Sequence, residues 1–260
     1  VMPFMLVAGT NFALLWYAFR GAPERLLGNT EFRSYLGTLG AVGVILLGLL
    51  VTGIGIAESP VNVGPLIGDL EAAARHGLFQ SLSFVTTTGY ASMDFNTWST
   101  PTLTVLLFVM FLGGSVGSAA GSVKIVRWFV IQRYVRREFT KTVHPEAVRP
   151  IRTSTEVLDE DTVSGLLAFT LLFVALFALS TLLIYFDTVR IGLELTTLDA
   201  MSVAMATLGN IGPGFGIAGP MENFLPFSVP AKLYMVFLMW IGRLEIISVL
   251  VILTPTYWWK

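Results

Sequence analysis

Hydrophobic residues in this sequence run in long blocks, and the charged ones gather in short stretches between them. Residues 1–19, 36–57, 95–123 and 162–186 contain no Asp, Glu, Lys or Arg, and a fifth apolar block, 233–259, is interrupted only by Arg243 and Glu245. Each block is long enough to cross a hydrocarbon layer about 30 Å thick, which takes roughly 20 helical residues. The alternation of a membrane β-barrel is absent. Lipid offers no partner to free backbone N–H and C=O groups, so the blocks predict helices. The pattern is that of an all-α, multi-pass protein in a lipid bilayer.

The polar stretches show that two units are alike. After the span 36–57 comes a short amphipathic stretch from Asp69 to Val85, then TTTGYAS at 86–92, then the apolar run to Val123. After 162–186 comes Leu195 to Leu208, then GNIGPGFG at 209–216, then the final block. The order long helix, short helix, Gly-containing turn, long helix occurs twice, with Gly89 and Gly212 as equivalent points. Residues 200–221 carry no charge and by hydropathy alone read as another span. Gly209, Gly212, Pro213, Gly214, Gly216 and Pro220 rule out a continuous helix there. A short re-entrant helix followed by extended backbone is expected instead. Such backbone is tolerated at membrane depth only where it is buried or lines a water-filled cavity, which points to a pore. The chain then divides into 1–35, a preceding helix with its linker; 36–139, a helix–pore-loop–helix unit whose second helix is interrupted; 140–160, a linker; and 161–260, the second such unit.

Charge adds an orientation. The chain is 54% hydrophobic and 13% charged, against about 25% charged in a soluble domain. Twelve of the basic residues fall on one side of the predicted spans, most of them from Lys124 to Arg152, and only Arg75, Arg190 and Lys232 on the other. The first side is therefore cytoplasmic. The outer side holds Glu58, Asp69, Glu71, Asp94, Asp187, Glu194, Asp199 and Glu222. An acidic vestibule there would concentrate cations, although ordinary solvated loops give the same pattern. There is no cysteine, hence no disulfide framework and no thiolate metal site. Residues 1–19 lack the basic start and small-residue cleavage site of a signal peptide, and the opening at Val1 inside an apolar run reads as a cut through a longer protein.

A dehydrated alkali cation needs several hard oxygen ligands, which rings of backbone carbonyls supply. Thr86, Thr87, Thr88 and Gly89 fit that need. Three β-branched residues favour extended backbone, their hydroxyls add oxygens, and glycine permits a positive φ. Asn210, Ile211 and Gly212 form the second copy. Each preceding short helix would aim its carbonyl end, with about half a negative charge, at the same place. TTTG alone reads as a plain turn, whereas matching turns in two units are a stronger signal. The Gly/Ser run from Gly113 to Ser122 makes a poor helix interior, and a small-residue packing face is one reading of it. It is no phosphate loop, since no Gly-Lys-Ser/Thr follows.

The segments FQSLSFVTTTGYAS, FLGGSVGSAAGSVKIVR, ATLGNIGPGFG and MWIGRLEIISVLVILTPTYW resemble the Trk/Ktr/HKT superfamily of potassium transporters, most closely its TrkH branch. The resemblance covers essentially the whole chain. It implies four helix–pore-loop–helix repeats around one pseudo-fourfold pore, of which 36–139 is the third, 161–260 the fourth, and 1–19 the last helix of the second. It places potassium filters at Thr86, Thr87, Thr88, Gly89 and Tyr90, and at Asn210, Ile211, Gly212 and Pro213. It makes the run with Gly113, Gly114, Ser115, Gly117, Ser118 and Gly121 a gating loop, with Ala119 where Thr is common and Ser122 where Gly is common; both are small enough to leave it mobile. It further implies a homodimer, a cytosolic nucleotide-binding regulator of the TrkA type, and residence in a prokaryotic cytoplasmic membrane. No cofactor and no nucleic acid are expected; potassium is the cargo.

An ionisable residue inside a span is a functional candidate by default. Arg243 and Glu245, two apart, lie on different faces of a helix and cannot pair with each other. The resemblance places the Gly/Ser loop just across the pore, so Arg243 is expected to face the cavity below the filter and donate to carbonyls of that loop; an ion pair with another helix is the structural alternative. His76 and His144 have no companions at metal-ligand spacing and read as structural or solvated. No cluster of His, Asp and Glu and no nucleophile motif lies in the spans, which argues against an enzyme. A non-conducting scaffold half that docks the regulator is the competing function.

Overall fold

The computed structural model describes residues 1–57, 67–144, 146, 150–152, 157–244, 246–254 and 258. Its elements in chain order are α1 (Met2–Ala8), α2 (Phe12–Phe19), α3 (Pro23–Gly28), α4 (Thr30–Val51), α5 (Leu70–Val85), α6 (Thr100–Met110), α7 (Ile125–Val143), β1 (Ile151–Arg152), β2 (Val157–Leu158), α8 (Glu160–Arg190), α9 (Thr197–Leu208), α10 (Val229–Arg243) and α11 (Ile246–Leu253).

Among the described residues, only α4 and α8 are single helices long and apolar enough to cross a membrane. The 31 residues of α8 reach about 46 Å at 1.5 Å per residue. The other three expected spans are broken. Residues 1–19 form α1 and α2, bent by 112°, because Asn11 caps a new helix by accepting from the Ala13 and Leu14 amides. The block 95–123 holds one α-helix, the 11-residue α6, and then leaves helical geometry. The last block divides into α10 and α11, and Glu245 lies outside the described residues. Between the helices, the linker carries a short antiparallel ladder pairing Ile151 with Leu158 and Arg152 with Val157.

Helix α5 packs along α4 and α9 along α8, so each short helix lies against the long helix that precedes it. Glycine makes the first pair tight: a Cβ on Gly77 would come within 3.3 Å of the Leu47 nitrogen, and one on Gly43 within 2.6 Å of Leu78. Close backbone approach at small residues is the usual source of helix association in lipid. Both short helices start on strong caps. Asp69 accepts from the Glu71 and Ala72 amides, and Thr196 forms a capping box with Asp199. Helix α9 also contacts α6 and α10. Above the ends of α5 and α9 an aromatic group closes the core, with the Phe95 ring 5.4 Å from Phe84 and 6.0 Å from Phe215.

Candidate functional site

The two short helices end in the same way, residue for residue. After α5 the amides of Thr86, Thr87 and Thr88 donate to the carbonyls of Leu82, Phe84 and Ser83; after α9 those of Gly209, Asn210 and Ile211 donate to Met205, Thr207 and Ala206. Thr87 and Asn210 occupy the left-handed region at φ 52° and 54°, and Gly89 and Gly212 follow at 72° and 117°. This is the crossed hydrogen-bond pattern of a helix ended by a left-handed residue. The backbone therefore departs from the extended TTT run expected from propensity. Thr86 is still helical (φ −84°, ψ −3°), and Thr87 is left-handed. A β-branched residue there is a true outlier, costing on the order of 1–3 kcal/mol and held only because the surroundings over-determine it.

The turns also touch. A Cβ on Gly89 would overlap the Ile211 carbonyl oxygen and approach Pro213 to 3.0 Å, while one on Gly212 would meet only the Gly89 Cα, at 3.9 Å. A cavity of about 500 Å³ opens beside them, lined by Thr87, Thr88, Asn210, Ile211, Gly212 and, on α10, Met235 and Met239. Lys232 also reaches this cavity, and its ammonium is drawn to the Leu225 carbonyl at 2.9 Å. Tyr90 is exposed, Pro213 half-buried, and the Tyr90 carbonyl accepts from the Ser83 hydroxyl at 2.5 Å. The threonine hydroxyls, expected as extra cation ligands, are engaged within the protein. Thr86 donates to the Leu82 carbonyl, Thr88 lies 3.1 Å from the Met5 sulfur, and Thr87 accepts from the Gly121 amide at 2.7 Å.

That last bond leads into the segment between α6 and α7, where Gly113, Gly114, Ser115, Gly117, Ser118 and Gly121 sit as an irregular loop under both turns. Its ends close on each other, Gly113 donating to Val123 and Ile125 to Gly114. Its middle is held from several sides. Ser115 and Ala119 donate to the carbonyls of Gly9 and Ala8 at the α1–α2 break, Val116 donates to the Glu31 carboxylate at 2.6 Å, and Arg243 Nη1 donates to the Ala119 carbonyl at 2.7 Å. Gly121 is pressed against the Gly209 carbonyl, where a Cβ would overlap. Ser122 stands at φ 55°, a conformation that favours glycine, and its hydroxyl offsets part of the cost by donating to Met110 at 2.7 Å. A second cavity of about 330 Å³ lies against the loop and is lined also by Lys124, Arg127 and Arg243. Lys124 donates to Ala120, and the Arg127 guanidinium stacks on the Phe169 ring at 3.7 Å.

Comparison with known proteins decides the family. A family profile described as TrkH, cation transport protein, matches residues 1–258. The chain belongs to the TrkH family. Among its relatives, the Trk system potassium uptake protein TrkI of Halomonas elongata is 34% identical across 98% of this chain and 48% of its own length. The Trk system potassium uptake protein TrkH of Vibrio parahaemolyticus is 30% identical across 98% and 49%. The crystal structure of the potassium transporter TrkH from Vibrio parahaemolyticus superposes with a TM-score of 0.83 at 28% identity, over 99% of this chain and 52% of that one. The chain spans about half the length of the curated relatives it matches.

Several contacts in this TrkH-family chain left no trace in the residue pattern. Glu31 sits in the first turn of α4, yet its carboxylate holds a loop amide 85 positions away. Asn96 clasps Gly216 reciprocally, donating to its carbonyl at 2.9 Å and accepting from its amide at 3.0 Å. Asn210 donates to the Met239 carbonyl at 3.1 Å, tying its turn to α10. Among the described residues, most of the acids expected on the outer side have structural roles. Asp69 and Asp199 cap helices and Asp94 caps a short 3-10 turn. Glu71 pairs with Arg75, and Asp187 with Arg190 and the Ser228 hydroxyl. Glu58 lies outside the described residues. His76 bonds Ser92 at 2.9 Å, and His144 ends α7 exposed.

Proposed function

We propose that this chain supplies two of the four helix–pore-loop–helix repeats of a potassium pathway, residues 36–139 as the third and 161–260 as the fourth. On this reading 1–35 closes the second repeat, 140–160 is a cytoplasmic linker, and the remaining repeats lie outside this sequence. The observation that carries the proposal is the pair of matched turns, Thr86–Tyr90 and 209–213, meeting at Gly89 and Ile211 beside a cavity. Two turns cannot encircle an ion. Four of them, related by a pseudo-fourfold axis, would. The Trk potassium uptake role named for the relatives supports the same choice of cargo.

The chemistry follows from the backbone. The helix ends of α5 and α9 bring partial negative charge to the turns, and carbonyls of the filter segments replace a cation's hydration shell. The loop from Gly113 to Ser122 then acts as a gate beneath the filter, with Arg243 as its latch. An arginine at mid-span costs roughly 2.5–3.5 kcal/mol unless it finds acceptors or water, and the Ala119 carbonyl is such an acceptor. Latched, the guanidinium repels cations below the filter; released with the loop, it leaves the path. The complete protein sits in a prokaryotic cytoplasmic membrane as a homodimer, with a cytosolic nucleotide-binding subunit of the TrkA type setting the state of the loop.

Rubidium uptake in a transport-deficient host, competed with sodium, tests this. In the complete transporter Gly89→Ser is expected to weaken discrimination against sodium, because its side chain meets the Ile211 carbonyl. An unchanged preference would remove the filter assignment.

A further inference from the structure

We propose that Arg133, Arg136 and Arg152 form a binding site for the phosphate of an anionic phospholipid headgroup at the cytoplasmic end of α7. It rests on the membrane placement of α8, and not on the ion pathway.

Depth comes first. Arg137 makes a two-pronged pair with Glu160 in the first turn of α8, at 2.5 and 3.0 Å. The hydrogen bond that Arg137 donates to the Glu160 carboxylate raises the Arg137 pKa further above its ordinary value, so that guanidinium stays charged and occupied. From Val163 to Phe186 α8 carries no charge, so the pair marks the level at which α8 enters the hydrocarbon. Arg133 and Arg136 lie within about one turn of Arg137, and the β1–β2 ladder folds Arg152 back beside them. The ladder is anchored: Ile151 is buried with Val130 and Val163, and the Arg133 guanidinium donates to the Arg152 carbonyl. Between these residues and Thr140 lies a groove of about 180 Å³.

Charge names the occupant. Of the four arginines lining this groove, Arg137 has carboxylate partners among the described residues, Glu138 and Glu160, whereas Arg133, Arg136 and Arg152 have none there. Three guanidiniums around one small groove repel each other until an anion joins them. Their planar forks match phosphate, and Arg133 is pre-positioned by stacking on Phe129 at 4.2 Å. Basic pockets at this level are where anionic lipids dock. Along α7, Val135, Phe139 and Val143 form an exposed apolar stripe at four-residue spacing, a surface for acyl chains that a free phosphate would not use.

The complete transporter in detergent is titrated with phosphatidylglycerol and with phosphatidylcholine, and bound lipid is counted by native mass spectrometry. Phosphatidylglycerol should be retained at least about tenfold more strongly, and the triple Arg→Gln variant at 133, 136 and 152 should lose that excess. Arg136→Gln alone, whose side chain has no described bond to lose, should lose part of it with melting unchanged. Equal retention of both lipids, or a triple variant that keeps the preference, overturns the proposal. So does displacement of the lipid by millimolar inorganic phosphate, or a triple variant that loses only capture of a cytosolic protein. No arm reads cation flux, so failure of the pathway reading leaves this result standing.

Discussion

The turn after α5 and the turn after α9 share one backbone and differ in wiring. Both run helix, left-handed residue, Gly at positive φ, with the same three terminal hydrogen bonds. The residue in the left-handed position is Thr87 in one and Asn210 in the other. Thr87 reaches down to the Gly121 amide in the loop, while Asn210 reaches sideways to Met239 on α10. Asn tolerates that conformation and Thr does not, so the strained turn is the one bonded to the proposed gate. A strained residue held by a movable partner is a natural place for gate and filter to communicate. The circuit closes through α10, since Met239 and Arg243 lie one turn apart and Arg243 returns to the loop at Ala119.

The sharpest way to break the likeness of the two turns is at their glycines. Gly89→Ala meets the Ile211 carbonyl and carries backbone strain, whereas Gly212→Ala carries the strain alone. In the complete transporter, potassium-over-sodium selectivity in rubidium uptake should fall by at least about tenfold, or about 1.4 kcal/mol, at Gly89. It should fall less at Gly212. Equal losses would mean that the contact between turns is irrelevant.

Arg243→Gln tests the arm of the circuit shared by both turns. It removes a charge-assisted bond of roughly 1.5–3 kcal/mol, so flux should rise on the order of tenfold with selectivity intact. Flux that falls, with normal protein in the membrane, would make Arg243 a structural anchor.

Asn96→Ala cuts the clasp above the turns. Two hydrogen bonds at about 1 kcal/mol each should lower the melting temperature by several degrees and leave the sodium competition unchanged. Altered selectivity would extend the filter's support up to Gly216.

The smallest effect is expected at the left-handed pair. Thr87→Val keeps the shape and strain but removes the acceptor for Gly121, about 1 kcal/mol, so flux should rise about fivefold. Asn210→Ala touches no loop bond and should leave flux where it was. If both raise flux equally, the asymmetry between the turns is not functional.

Much of this was legible along the chain. The repeated order of elements, the positions of Gly89 and Gly212 and the irregular Gly/Ser run follow from local composition, whereas the approach of Arg243 to that run came only from the family resemblance. An apolar block, a Gly-rich turn and an unpartnered arginine declare themselves within a few residues. The breaks at Asn11 and after Arg243 were less visible, because a capping Asn in an apolar run does not interrupt hydropathy. The bonds from Glu31, Thr87 and Asn96 were invisible, since each joins residues at least 34 positions apart and any polar residue there would look the same.

By itself, then, the sequence determined that this is a helical membrane chain, and that its backbone leaves helical geometry at the two Gly-containing turns and at the Gly/Ser run. Those properties depend on transfer free energies and φ preferences that each residue carries with it. Only the tertiary structure decided that the two turns touch at Gly89 and Ile211, that Thr87 is forced left-handed, and that the loop hangs from Ala8, Gly9, Glu31 and Arg243 at once. A buried amide or hydroxyl has many possible partners in the sequence, and packing of the surrounding helices selects among them.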